Sequence, residues 1–249
     1  MKLLNKVAIV TGGSSGIGKA SAILLAKEGA DIVLTFRSNE NGAISTKNEI
    51  NSLGRKCEIL KADLTNIKDI EKIILHTVSI FKGIDILINN AGDSNFIDFL
   101  EDSMENLAYL LDVNVKSIFL LSQMAAREMI KRGGGSIVNV TSISGIAVNA
   151  PGLTSYCTSK AAANMLTKGM AKDLAERNIR VNAILPGSID TPLTWRKASE
   201  EIIKMTKEMT PLKRIGTPEE IAKMIVFLST DDSSFITGSL IVVDGGLTL

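Results

Sequence analysis

Short, continuous runs of aliphatic and β-branched residues recur along the whole chain: Val7–Val10, Ile32–Phe36, Ile59–Ala62, Ile84–Ile88, Ile137–Val140, Ile179–Leu185 and Leu240–Val243. A strand with one wet face alternates apolar and polar positions. Runs without that alternation suit strands buried on both faces of a parallel sheet. Between the runs the apolar spacing changes to three and four, and Ile67, Ile70, Ile74, Val78 and Phe81 fall on one helical face. Another helix is expected to open at Thr217-Pro218-Glu219-Glu220, where Thr caps, Pro fits the first turn and Glu220 closes a capping box. Strand and helix alternate throughout, so right-handed βαβ units predict an α/β fold: a doubly wound parallel sheet of about seven strands with helices on both faces. No internal repeat, linker or low-complexity tract interrupts the pattern, and residues 1–249 are expected to form a single domain. One connection is long. The stretch Pro186 to Leu212 follows a strand, contains the only tryptophan, Trp195, and is expected to act as a substrate lid.

Composition narrows the function classes. The chain is 45% hydrophobic and 22% charged, with 20 Gly and 5 Pro, which excludes disorder, collagen-like repeats and long coiled coils. Lys plus Arg number 28 against 27 for Asp plus Glu, a net charge of +1 that predicts neither a nucleic acid nor a membrane as partner. The two cysteines, Cys57 and Cys157, form no disulfide framework and no metal-ligand spacing, so no metal is expected. Lys6 falls where a signal peptide would need apolar residues, and the longest uncharged stretch, Gly133 to Ser159, is broken by Asn, Ser, Gly and Pro. A cytoplasmic protein is the expectation.

The first strand leads into Thr11-Gly12-Gly13-Ser14-Ser15-Gly16-Ile17-Gly18-Lys19-Ala20. A glycine turn between a strand and a helix N-terminus is an anion site, because unpaired N–H groups and the helix dipole face the ligand. Three readings compete. Gly13 to Lys19 matches most of a P-loop, but Ala20 stands where a hydroxyl would hold magnesium. Gly12 to Gly16 matches a hydrolase nucleophile elbow, but the only histidine, His76, lies across its helix from the apolar stripe and is expected to be solvated. The third reading is dinucleotide binding, with glycines at 12, 16 and 18 rather than in the usual spacing.

Other segments separate them. Asp63-Leu64 ends the third strand and Asn89-Asn90-Ala91-Gly92 the fourth. Asn114 sits among apolar helix residues, Ser142 follows the fifth strand, and Tyr156-Cys157-Thr158-Ser159-Lys160 opens the next helix. Pro186-Gly187 ends the sixth strand, with Thr191 beyond it. This ordered set resembles the short-chain dehydrogenase/reductase family, from about Lys6 to Asp244-Gly245-Gly246, and implies a Rossmann-type sheet. Its closest general likeness is to the branch holding 3-oxoacyl-carrier-protein reductases and sugar or polyol dehydrogenases.

The residue types suit that chemistry. Tyr156 and Lys160 are one helical turn apart on one face. A phenol of pKa about 10 needs roughly 3 units of depression, about 4 kcal/mol, to work near neutrality. A neighbouring cation and an oxidised nicotinamide both act in that direction. By resemblance, Tyr156 gives its proton to the substrate carbonyl oxygen, Ser142 hydrogen-bonds that oxygen, and Lys160 holds the cofactor ribose and lowers the Tyr156 pKa. Asn114 anchors a water that relays protons to Lys160. Ser142 is preferred over the nearby Ser144 on the family pattern, and Cys157 is read as small packing.

The resemblance also implies a cofactor site made of Gly12, Ser14, Ser15, Gly16, Ile17 and Gly18, with Arg37 and Ser38 after the second strand. Asp63 and Leu64 flank the adenine, and Asn89, Asn90, Ala91, Gly92, Tyr156, Lys160, Pro186, Gly187, Ile189 and Thr191 complete it. Phe36 occupies the position where NAD sites carry an acidic residue, and Arg37 can pair a 2′-phosphate. NADP(H) is therefore expected ahead of NAD(H), although Ser15 stands where many NADP-preferring relatives place a second basic residue. The expected activity interconverts a carbonyl and a secondary alcohol. A 3-oxoacyl thioester, with acyl carrier protein as its candidate carrier, stands ahead of a sugar or polyol, and a non-catalytic NADP-binding regulatory module is the alternative from another class. Lys131, Arg132 and Arg177 are candidate contacts for an acidic carrier. Apolar positions at Val115, Ile118, Phe119, Leu120, Leu121 and Met124, with Ala161-Ala162-Ala163, suggest helices paired across subunits, and the family implies a homotetramer.

Overall fold

The computed structural model describes residues 1–148, 150–196 and 199–249. Seven parallel strands form one sheet in the order β3-β2-β1-β4-β5-β6-β7. They are β1 Val7–Val10, β2 Asp31–Phe36, β3 Cys57–Lys61, β4 Ile86–Asn89, β5 Gly135–Val140, β6 Ile179–Pro186 and β7 Leu240–Val243. All seven apolar runs are strands, with ends displaced by at most a few residues. Ile84 is fully buried yet precedes β4, so its burial serves the core without a place in the ladder.

The helices are α1 Gly16–Lys27, α2 Glu40–Ser52, α3 Ile67–Phe81, α4 Met104–Leu111, α5 Ser117–Lys131, α6 Thr154–Leu174, α7 Pro192–Trp195, α8 Glu200–Met209 and α9 Pro218–Ser229. Side chains alternate across each strand and so feed two cores. Ala8, Val10, Ile32, Leu34, Ile86, Ile88 and Val138 pack with α1 and α9 on one face. Ile9, Val33, Leu87, Ile137 and Val181 pack with α3 and α5 on the other. No helix among the described residues is long and apolar enough to cross a membrane.

Capping chemistry behaves as the sequence suggests at α9, where Thr217 and Glu220 form a reciprocal capping box. The α3 stripe is rotated from its expected centre. Ile67 is 55% exposed, while Ile70, Ile73, Ile74 and Thr77 are buried. Ile67 is the first helical residue and sits at the rim, and the Thr77 hydroxyl is admitted to the core because it donates to the Ile73 carbonyl. His76 is half-buried rather than solvated, and its Nε2 has no partner among the described residues. It stands on α3, away from the residues that line the cleft.

Chain order reverses between β1 and β4, which opens a crevice at the strand C-terminal ends. The opposite end is tied by a carboxylate. Asp85 is buried, accepts from the Val7 N–H at 2.8 Å and Arg132 Nε at 2.9 Å, and has Lys6 Nζ at 3.6 Å. Asp85→Ala strands an N–H and a partly buried guanidinium. It is expected to lower stability by about 2 kcal/mol, read as a reduced urea midpoint.

Candidate active site

The crevice encloses about 450 Å³ and is lined along its floor by the glycine turn. Ser15 starts α1 without a side-chain cap, and the N–H groups of Gly16, Ile17 and Gly18 meet no acceptor among the described residues. Those donors, with the helix dipole behind them, fit the pyrophosphate of a dinucleotide. Gly18 itself does not line the crevice. A Cβ there would lie 2.2 Å from the Gly12 carbonyl oxygen, so its role is to let the helix close on the turn. Thr11 holds the other wall: its hydroxyl accepts from the Asn90 and Ala91 N–H groups, both at 2.9 Å.

Of the expected cofactor residues, Gly12, Ser14, Ser15, Gly16, Ile17, Arg37, Ser38, Asp63, Leu64, Asn90, Ala91, Gly92, Pro186, Gly187, Ile189 and Thr191 all line this one crevice, with Tyr156 and Lys160. Asn89 does not. Its amide donates to Ser122 Oγ at 3.0 Å and Asn139 Oδ1 at 2.9 Å inside the core, because side chains alternate along β4 and this one faces α5. Lys19 lies within 3.8 Å of Glu49 on α2, so the lysine of the P-loop reading is turned away from the turn.

At the far end Ser142, Tyr156 and Lys160 converge. Ser142 lines the crevice and accepts from the Ser144 N–H at 3.0 Å, whereas Ser144 is not among the lining residues. Lys160 Nζ lies 5.8 Å from the centre of the Tyr156 ring and 3.4 Å from the Val140 carbonyl oxygen. Burial pushes this lysine down to about 8. Burial also pushes the Tyr156 phenol up to about 12, while the Ser142 hydroxyl works in the other direction and the Asp93 charge adds to the rise. With protein groups alone, therefore, the phenol moves opposite to the expected depression. Burial of the phenol itself is the largest cause, since taking it out of water disfavours the charged form.

Asn114 lies where the helix changes winding: α4 and α5 are joined by a π-turn over Asp112–Lys116. Its side chain is fully engaged, accepting from the Asp93 N–H at 3.0 Å and donating to the Asp93 carbonyl at 2.9 Å and Ser159 Oγ at 3.0 Å. Its side-chain oxygen and nitrogen are therefore committed to the Asp93 backbone and to Ser159. Gly92 passes close beside it, since a Cβ there would sit 2.8 Å from Asn114 Oδ1 and 3.3 Å from Lys160 Nζ.

Three residues not anticipated from the sequence complete the crevice mouth. Asp93 accepts from Tyr109 Oη at 2.8 Å and Arg196 Nη2 at 2.6 Å. Arg37 Nη1 donates to Tyr109 Oη at 2.7 Å, and Arg37 Nη2 lies 3.6 Å from Asp93. Asp93 opens the acidic stretch Asp93 to Asp102, which is the one signal of this cluster in the sequence. The cations expected at the mouth are elsewhere: Lys131 pairs with Glu128, Arg132 with Asp85, and Arg177 with the Asp173 carbonyl. They follow helix C-termini, which in βαβ units return to the N-terminal end of the sheet.

A family model described as enoyl-(acyl carrier protein) reductase matches residues 12–248. The chain is 41% identical over 249 residues to the 3-oxoacyl-[acyl-carrier-protein] reductase FabG of Thermotoga maritima, covering all of both chains. It belongs to the short-chain dehydrogenase/reductase family. A solved short-chain dehydrogenase of Burkholderia cenocepacia in complex with NADP is 31% identical, with a TM-score of 0.95 and 100% of both chains covered. A 7α-hydroxysteroid dehydrogenase complexed with NADH and 7-oxo glycochenodeoxycholic acid is 37% identical, with a TM-score of 0.94 over 98% of this chain and 95% of that one. As a member of the short-chain dehydrogenase/reductase family, the protein is an NAD(P)-dependent oxidoreductase.

The buried ammonium gives a test of this geometry. Its pKa is about 8 in the fold against 10.5 for the free side chain, so folding favours the neutral amine. The penalty is full below about pH 8 and fades as pH rises towards the unfolded value. Lys160→Met is expected to raise the thermal midpoint at pH 7 by about 3 °C, and calorimetry at rising pH should show that gain shrinking above pH 8.

Proposed function

We propose that the protein interconverts a carbonyl and a secondary alcohol with NADP(H), and that a 3-oxoacyl thioester is its substrate class. The observation that carries the reaction is the meeting of Tyr156, Ser142 and Lys160 at one end of a crevice whose other end is a glycine turn of unpaired N–H groups. The nicotinamide, when bound, supplies or takes up the hydride. Ser142 orients the substrate oxygen by hydrogen bonding. Tyr156 delivers the proton to that oxygen in the reduction and receives it in the oxidation.

Lys160 reaches the crevice from beneath, close to Gly92, where it can hold a ribose hydroxyl and replenish the phenol. The upward shift of Tyr156 suits a proton donor in the reductive direction, since it keeps the phenol neutral. Positive charge on an oxidised nicotinamide would reverse that shift for the oxidative direction. Asn114 fixes the Asp93 backbone beside Lys160, and the family pattern supports its anchoring a water that relays protons to Lys160.

The preference for the phosphorylated cofactor rests on Arg37, which lines the adenine end of the crevice where Phe36 replaces an acidic residue. The thioester reading rests on the full-length likeness to a 3-oxoacyl reductase. Acyl carrier protein remains the candidate carrier of that thioester, with its contacts elsewhere than Lys131, Arg132 and Arg177, which face the other end of the sheet. The connection 186–212 is read as the lid; within it, residues 197–198 lie outside the described residues. Phe119 and Met165 are 48% and 66% exposed on α5 and α6, and they support a homotetramer built through those helices.

Four measurements test this. With an acetoacetyl thioester, NADPH should be preferred to NADH, Arg37→Ala should weaken NADPH binding about tenfold, and Tyr156→Phe should reduce kcat about 10³-fold. An enzyme that favours NADH, or a Tyr156→Phe variant with full turnover, would refute the reading. Light scattering should give four times the chain mass, and a monomer in solution would overturn the helix-pairing assignment.

A further inference from the structure

Asp93 has an unusual position for a carboxylate. It is 8% exposed, follows directly on the Gly92 wall of the crevice, and is shared by two arginines that come from opposite sides of the mouth. Oδ1 accepts from the Ser94 N–H at 2.9 Å and from Arg196, which follows α7. Oδ2 accepts from Tyr109, whose oxygen in turn accepts from Arg37. Burial opposes ionisation of Asp93, but the Arg196, Tyr109 and Ser94 hydrogen bonds outweigh it and hold the carboxyl below its ordinary range. One negative charge therefore serves two positive ones.

We infer that Asp93 is a positioning residue that couples the cofactor's 2′-phosphate to the lid. The physical basis is competition: Arg37 and Arg196 repel one another and draw on the same carboxylate. A phosphate dianion is a stronger partner for Arg37 than a phenol oxygen and a shared carboxylate at 3.6 Å. Once Arg37 turns to the phosphate, Asp93 is left to Arg196, and the α7 segment is held more tightly across the crevice. A cofactor without that phosphate leaves Arg37 where it is and gains no such closure. Specificity for the phosphorylated dinucleotide then acts on lid position as well as on affinity. This rests on the reading of Arg37 given above.

Trp195, the only tryptophan, precedes Arg196 and reports the lid without any label. The probes are adenosine 2′,5′-bisphosphate and 5′-AMP, which lack the nicotinamide and so separate binding from turnover. Acrylamide quenching of Trp195 is expected to fall about two-fold on adding the bisphosphate and to stay constant with 5′-AMP. In Asp93→Asn the tryptophan should be more accessible from the start and unresponsive to the bisphosphate. In Arg37→Gln, where the competing cation is gone, Trp195 should be protected before any probe is added. If calorimetry shows the bisphosphate binding no tighter than 5′-AMP, the assignment of Arg37 fails and the coupling with it. If it binds tighter but Trp195 does not respond, or Asp93→Asn responds like the parent, the coupling alone is wrong.

Discussion

An ammonium group out of water needs partners, and Lys160 has few. It is 5% exposed, and its one acceptor among the described residues is the Val140 carbonyl at 3.4 Å. A fold that keeps a lysine there destabilises its own charged form. The local structure shows how closely the position is maintained. Gly92 leaves no side chain above the ammonium, and the π-turn carries Asn114 into the gap between Gly92 and Ser159. The arrangement is a poor one for stability and a good one for binding sugar hydroxyls, which is the exchange expected where function sets the residue.

The same economy of partners governs the crevice mouth. Asp93 is anchored through its backbone by Asn114 and through its carboxylate by Tyr109 and Arg196. The backbone anchor and the Lys160 pocket thus share one residue, Asn114. Its side chain is committed to holding a loop, and the loop carries the charge that both arginines approach. Displacing Asn114 would disturb the Lys160 pocket and the mouth together.

Much of this was legible in the chain. Strands were visible because a parallel sheet covered on both sides demands runs such as Ile137–Val140, and because the Gly12 to Gly18 spacing only makes sense at a strand–helix corner. Tyr156, Lys160 and Ser142 were legible through their family spacing. What stayed hidden depends on facing rather than on sequence. Asn89 and Asn90 are adjacent, yet alternation sends one to the core and leaves the other at the crevice. The π-turn inserts one residue into a helix without any Gly or Pro to mark it. Asp93, Tyr109 and Arg196 come from three separate segments, and no local pattern links residues that meet only in the fold.

Topology also decides which charges reach the site. In a sheet of βαβ units every crossover helix begins near the strand C-terminal ends and finishes at the other end. The crevice therefore receives helix N-termini, with α1 and α6 both starting beside it, and their dipoles favour an anionic ligand without any side chain. Lysines and arginines that stabilise helix C-termini are carried away from it, as Lys131 and Arg132 are. A cation needed at the mouth must instead come from a strand end or a loop, where little packing fixes it. Arg37 and Arg196 are of that kind, half-exposed at 52% and 45% of their side chains. A buried carboxylate between them supplies the missing order, and it stands next to Gly92 on the wall of the crevice rather than on the surface.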